Sequence, residues 1–132
     1  MSIRIVRLGQ ERGPGEGLRI GTVRRPPRGV PRSEFSSGNW YDTWLPELAP
    51  SPETMAMGKN AATDAEWRAF EKKYRAEMST PAAAHLLELL AALSHTTDLA
   101  VGCYCEDEAR CHRFVLKQLL QARGARIEAQ GP

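Results

Sequence analysis

Three cysteines fall within nine residues of this 132-residue chain, and a histidine and an arginine directly follow the last of them. The stretch reads Cys103-Tyr104-Cys105-Glu106-Asp107-Glu108-Ala109-Arg110-Cys111-His112-Arg113. Thiols become nucleophiles or ligands as thiolates, and a neighbouring histidine, arginine or helix N-terminus favours that form. Four kinds of chemistry suit these residue types. Cys103 or Cys111 could serve as a nucleophile or anion-site thiolate, with His112 as acid and base and arginines holding an anionic substrate. Cys103, Cys105, Cys111 and His112 could instead hold zinc or iron, although Cys111 and His112 are adjacent and the spacing matches no common zinc knuckle. Two of the cysteines could form a reversible disulfide. The plainest alternative has Cys103 and Cys111 packed in the core and His112 at the surface. A phosphatase loop is excluded, because no cysteine has arginine at the sixth following position.

The ligand most in keeping with the rest of the sequence is a small anion. Between Arg4 and Arg32 stand eight arginines against two acids, Glu11 and Glu16. Arginine suits bidentate binding of carboxylate or phosphate better than lysine does. Arg24 and Arg28, in a proline-rich loop, are expected to orient an anion such as a nucleotide or sugar phosphate, together with Arg113. Asp42 and Glu47 follow that loop and are expected to position its arginines. Glu106, Asp107 and Glu108 oppose a simple phosphate cradle unless they face solvent, hold a metal or pair with the arginines. His85 and His95 are read as structural or exposed. No cofactor is firmly implied, with zinc or iron as the alternative.

Net charge is only +2, from 18 basic and 16 acidic residues, which argues against a nucleic-acid binder. No apolar run approaches the roughly 18 residues needed to span a bilayer, and the N-terminus lacks the apolar core of a signal peptide. An odd, crowded set of cysteines is no secreted disulfide framework. A cytoplasmic location is therefore expected.

Several elements must position these residues. Ile3, Ile5, Val6 and Leu8 read as a first strand, and a glycine-rich turn over 13–17 follows. Leu18 to Val23 resembles a buried strand, stopped by the prolines of Arg24-Arg25-Pro26-Pro27-Arg28-Gly29-Val30-Pro31. Trp40 to Leu45 is strand-like. Asp64 to Met78 carries Trp67, Phe70 and Tyr74 at i, i+3 and i+7, a stripe expected to pack in the core. Thr80 and Pro81 are placed to start a leucine-rich helix over 82–93. Leu99 to Tyr104 reads as a central strand, and Cys111 to Arg123 as a final helix ended by Gly124. Ile127 could begin an edge strand. The chemistry-bearing stretch therefore joins a strand end to a helix start, where ligands bind in open parallel sheets.

In this arrangement several segments resemble the YeaO-like family, catalogued as domain of unknown function 488. Arg24-Arg25-Pro26-Pro27-Arg28-Gly29 is similar to its Arg-x-x-Pro-Arg-Gly loop. Trp44-Leu45-Pro46-Glu47-Leu48-Ala49-Pro50-Ser51 matches its Trp-Leu-x-Glu-Leu-Ala-Pro-Ser segment. Trp67, Phe70, Tyr74 and Glu77 match its aromatic helix, and Cys103, Cys111, His112 and Arg113 its strand-to-helix corner. Cys105 is an addition to the pattern, and Val23 and Pro46 stand where it has Asp and Lys. The resemblance covers about 18–124 and implies a compact bacterial α/β domain without an established activity. The expected fold is a single three-layer domain over 1–132, with a mostly parallel sheet flanked by helices.

Overall fold

The computed structural model describes residues 1–105 and 111–128; the acids Glu106, Asp107 and Glu108 lie outside the described residues. Four strands, β1 (Ile3–Arg7), β2 (Leu18–Gly21), β3 (Thr43–Trp44) and β4 (Leu99–Cys103), form one parallel sheet in the order β1-β4-β2-β3. Four helices, α1 (Pro52–Asn60), α2 (Asp64–Glu77), α3 (Pro81–Leu93) and α4 (His112–Ala122), complete the α/β domain, with short 3₁₀ turns at Arg32–Glu34 and Pro46–Leu48. No helix among the described residues is long and apolar enough to cross a membrane.

Strand β4 enters the sheet last and lies between β1 and β2. All five of its residues are buried, which is why Leu-Ala-Val-Gly-Cys is a continuous apolar run rather than an alternating one. Gly102 is required by this insertion, since a Cβ there would stand 2.5 Å from the Val6 carbonyl oxygen. Successive strand residues point to opposite faces. Ile3, Ile5, Ile20, Leu99 and Val101 share a core with Trp67, Phe70 and Tyr74 of α2, Leu87 and Leu90 of α3, and Val115, Leu116 and Leu120 of α4.

The opposite face carries Arg4, Arg19, Gly21 and Gly102, and loop segments lie over it. Arg19 bonds Glu16 and the carbonyls of Gln10 and Asn39, while the Tyr41 ring lies over Gly21. The three layers are therefore helices, sheet and this loop cover. The β1–β2 connection, rich in glycine and carrying Pro14, has no helix to contribute.

Helix α2 does more than fill the core. A Thr63–Glu66 capping box starts it, and its far end grips the chain before α1. The Tyr74 hydroxyl donates to the Leu48 carbonyl at 2.7 Å. The Glu77 carboxylate accepts from the Ser51 backbone N–H, the Ser51 hydroxyl and the Thr54 hydroxyl at 2.9, 2.6 and 2.8 Å. These bonds hold its pKa below the ordinary value despite burial.

Three local expectations take a different form. The aromatic run 40–45 keeps only Thr43–Trp44 as strand, because Asn39 turns with φ 65° and Tyr41 swings into the core with Leu8 and Val23. Pro81 does open α3, but the Thr80 hydroxyl donates back to the Glu77 carbonyl rather than capping the helix. Ile127 makes a single parallel bridge to Ile3.

Candidate functional site

Cys103 is the last residue of β4, and Cys111 is the extended residue immediately before α4. Both belong to a small second core with Leu8, Val23 and Tyr41, beyond the carboxyl ends of the strands. They are 1% and 2% exposed, and their sulfurs lie 2.7 Å apart. Cys105 is exposed, two residues beyond Cys103, and it titrates together with both other thiols. The three thiols thus run from solvent to interior.

His112, in the first turn of α4, is buried beside them. Its Nε2 lies 2.8 Å from the Thr22 carbonyl oxygen, so Nε2 carries the proton and donates. Nδ1 is left as an acceptor, 3.8 Å from the Cys111 sulfur. The Tyr74 ring meets the imidazole edge-on at 5.6 Å. Burial lowers the His112 pKa to about 4, against the Thr22 hydrogen bond, so the ring is neutral near pH 7.

The thiols titrate as a set. Hydrogen bonds with Cys105 and Cys111, followed by burial, push Cys103 far up. Cys111 is also raised: its bond with Cys103 favours the thiolate, but the Cys105 sulfur and burial outweigh it. Cys105 goes the other way. Its neighbours Cys103 and Cys111, and then the Arg113 charge, hold it well below an ordinary thiol against partial burial. Of the three, the exposed sulfur is the one whose thiolate its surroundings favour.

Arg113 supplies the other charge. It is 4% exposed and donates Nη2 to the Cys105 carbonyl at 2.7 Å, while its Nε has no hydrogen-bond partner among the described residues. It also makes no ion pair with a carboxylate among them. A buried cation so sparsely satisfied is costly unless an anion lies near. Arg7 reaches the same segment from β1, donating to the Tyr104 carbonyl at 3.3 Å.

The ligand atoms of Cys103, Cys111 and His112 all lie within 4.8 Å of one another, close enough to consider a metal. The His112 arrangement, with one ring nitrogen bonded to a carbonyl and the other facing sulfur, suits a ligand. The sulfur pair fits less well. Two thiolates on one tetrahedral zinc sit about 3.8 Å apart, from Zn–S bonds of about 2.3 Å. Cys103 and Cys111 would have to part by roughly 1 Å to admit the ion, so the pair favours sulfur–sulfur chemistry over zinc.

The other residues singled out in the sequence are distributed around this corner. Arg24 donates to the Ala49 and Pro50 carbonyls at 3.2 and 3.1 Å. It therefore holds the same segment that Tyr74 and Glu77 grip. The Tyr104 hydroxyl donates to the Arg25 carbonyl at 2.9 Å, which pins the arginine loop beside the thiols. Arg28 is exposed on that loop. Asp42 pairs bidentately with Arg12 at 2.8 and 2.9 Å and also accepts from the Arg19 backbone N–H. Glu47 lies exposed on the turn Pro46–Leu48. The recess between α1 and α2, lined by residues including Glu53, Met57 and Glu66, holds no thiol or histidine.

Thr22, Tyr104 and Arg7 also belong to the corner and were not evident from sequence. None of the three gave a signal beyond its residue type.

No curated protein and no solved structure matches the chain. A family model, DUF488-N3a, described as the active DUF488-N3 subclade, matches residues 3–124, which take in the sheet, all four helices and the Cys-His-Arg corner. The chain therefore belongs to the DUF488 (YeaO-like) family.

Proposed function

We propose that this protein uses the thiol corner to bind, and act on, a small anionic molecule of the nucleotide or sugar-phosphate class. The observation that carries this reading is the buried Arg113 guanidinium, which lacks a carboxylate partner among the described residues and lies beside an exposed thiol of lowered pKa. Arg113 sets a positive potential at the end of β4, and Arg24 and Arg28 extend it over the mouth from the loop pinned by Tyr104. Cys105 is the sulfur a ligand reaches. Cys103 and Cys111 sit behind it, and His112 Nδ1 orients the Cys111 thiol.

Calorimetric titration of the reduced chain with nucleoside and sugar monophosphates tests this reading. A member of the panel should bind, and Arg28→Ala should weaken it about tenfold, as expected for one charge-assisted contact. Absence of binding across the panel, or binding indifferent to Arg28→Ala, would discard it. Near-stoichiometric zinc or iron in anaerobically purified protein, lost on Cys111→Ser, would make Cys103, Cys105, Cys111 and His112 a ligand set instead.

A further inference from the structure

The three thiols differ in a way that anion binding does not use. One faces solvent, two are buried with their sulfurs 2.7 Å apart, and the exposed one lies two residues beyond the first of the pair, next to the Arg113 that binds its carbonyl. A buried thiol pair is protected from oxidants that cannot enter, so oxidation of the pair requires a carrier at the surface. Cys105 occupies that place.

We propose that Cys105 is a site of attack on hydroperoxides, and that it passes the oxidation inward to the Cys103–Cys111 pair. In the first step the Cys105 thiolate displaces the hydroperoxide O–O bond. Cys105 becomes a sulfenic acid and the peroxide leaves as an alcohol or water after taking up a proton. In the second step the Cys111 thiol attacks the sulfenic sulfur and expels water, giving a Cys105–Cys111 disulfide. The Cys111 proton leaves in that water, and His112 Nδ1, 3.8 Å from its sulfur, orients the thiol. Cys103 is separated from Cys105 by a single residue, which makes that bridge a strained ring. In the third step Cys103 attacks the Cys111 sulfur and releases the Cys105 thiol by ordinary thiol–disulfide exchange. One peroxide has then consumed two thiols, and the product is a buried Cys103–Cys111 disulfide with Cys105 reduced and ready to react again.

The geometry supplies each step with a reason. Arg113, donating to the Cys105 carbonyl, brings a fixed positive charge to the attacking sulfur. The Cys103 and Cys111 sulfurs need little movement to exchange. The relay uses the thiols of the proposed anion site but needs no bound anion, so its test can fail while phosphate binding stands, and the reverse.

The test is to treat the reduced, metal-free full chain with one equivalent of hydrogen peroxide, quench with an alkylating reagent and map each cysteine by mass. The wild type should lose two thiols, carry the Cys103–Cys111 disulfide and keep Cys105 open to alkylation. Cys105→Ser, a change at an exposed position, should lose thiols at least about tenfold more slowly. Cys103→Ser should stall as the Cys105–Cys111 disulfide. Equal oxidation rates in the wild type and Cys105→Ser would overturn the proposal. So would wild-type Cys105 accumulating as sulfinic acid while the buried pair stays reduced. Circular dichroism of each variant confirms that the comparison is made between folded chains.

Discussion

Arg19, on β2, and Arg113, in the first turn of α4, are 1% and 4% exposed, yet their guanidinium groups are treated in opposite ways. Arg19 meets Glu16 through two parallel bonds of 2.8 Å and fills its remaining valences with the Gln10 and Asn39 carbonyls at 2.8 and 2.7 Å. Arg113 makes one bond, to the Cys105 carbonyl, and leaves Nε unpartnered among the described residues. A charge answered on every side is a tie: it fixes the glycine-rich turn and the 35–42 segment over the bare face of the sheet. A charge answered on one side costs stability and leaves a positive potential in its surroundings, here the thiols. The first arrangement serves the fold, and the second serves a negative charge that comes and goes.

The largest expected effect follows from breaking the complete pair. Glu16→Ala leaves Arg19 buried with two carbonyls and no counter-charge, and should cost about 3–5 kcal/mol of stability in denaturant unfolding. Replacing Glu16 and Arg19 together by apolar residues of similar volume should recover most of that loss, because neither charge is then stranded. A Glu16→Ala variant within about 1 kcal/mol of wild type would show that the pair is not the tie described.

His112 extends the comparison to a buried group that has surrendered its charge. Its pKa is about 4 in the fold and about 6.5 in an open chain, so between these values the unfolded state binds more protons. This contribution is whole well above pH 6.5 and declines as the pH falls through that window, by about 1.5 kcal/mol between pH 6.5 and 5. Glu16, Asp42 and Glu77, all lowered, add their own losses only below about pH 4.5, so the higher window isolates the histidine. Unfolding curves for wild type and His112→Gln should therefore converge as the pH is lowered from 6.5 to 5. Parallel curves would mean that the imidazole is not held neutral.

The sequence made parts of this layout legible and hid others for identifiable reasons. The apolar run Leu99–Cys103 announces a strand buried on both faces, and the Trp67, Phe70 and Tyr74 stripe announces a packed helix; each depends on local pattern alone. The corner was legible too, because a strand end and a helix start bring Cys103, Cys111 and His112 together whatever lies beyond. The insertion of β4 between β1 and β2 was not, since strand order depends on pairings some 80 residues apart, such as the Thr22 to Gly102 bond. Nor were the fates of the arginines. Arg4, Arg12, Arg19 and Arg24 look alike in sequence. In the fold they meet the Pro14 carbonyl, Asp42, Glu16, and the Ala49 and Pro50 carbonyls respectively. With Arg7 on the Tyr104 carbonyl, five of the eight arginines are spent on internal bonds, and composition cannot say which. Cys105 looked like the least distinctive of the thiols until its exposure set it apart.

The smallest effect on stability is expected at Arg113, and it is the most telling. Replacing a poorly satisfied buried charge by an apolar side chain of similar length is often neutral or favourable, so Arg113→Met should leave stability within about 1 kcal/mol of wild type. The same change removes a cation that favours the Cys105 thiolate. The pH profile for alkylation of Cys105 should therefore move to higher pH, and the thiol should react more slowly under mildly acidic conditions. Loss of stability as large as that of Glu16→Ala would make Arg113 a second structural tie and erase the contrast with Arg19. Unchanged stability with an unchanged alkylation profile would mean that the charge does not act on the thiol. Only the combination of preserved fold and weakened thiolate fits a cation kept buried for its effect on the corner rather than for the fold.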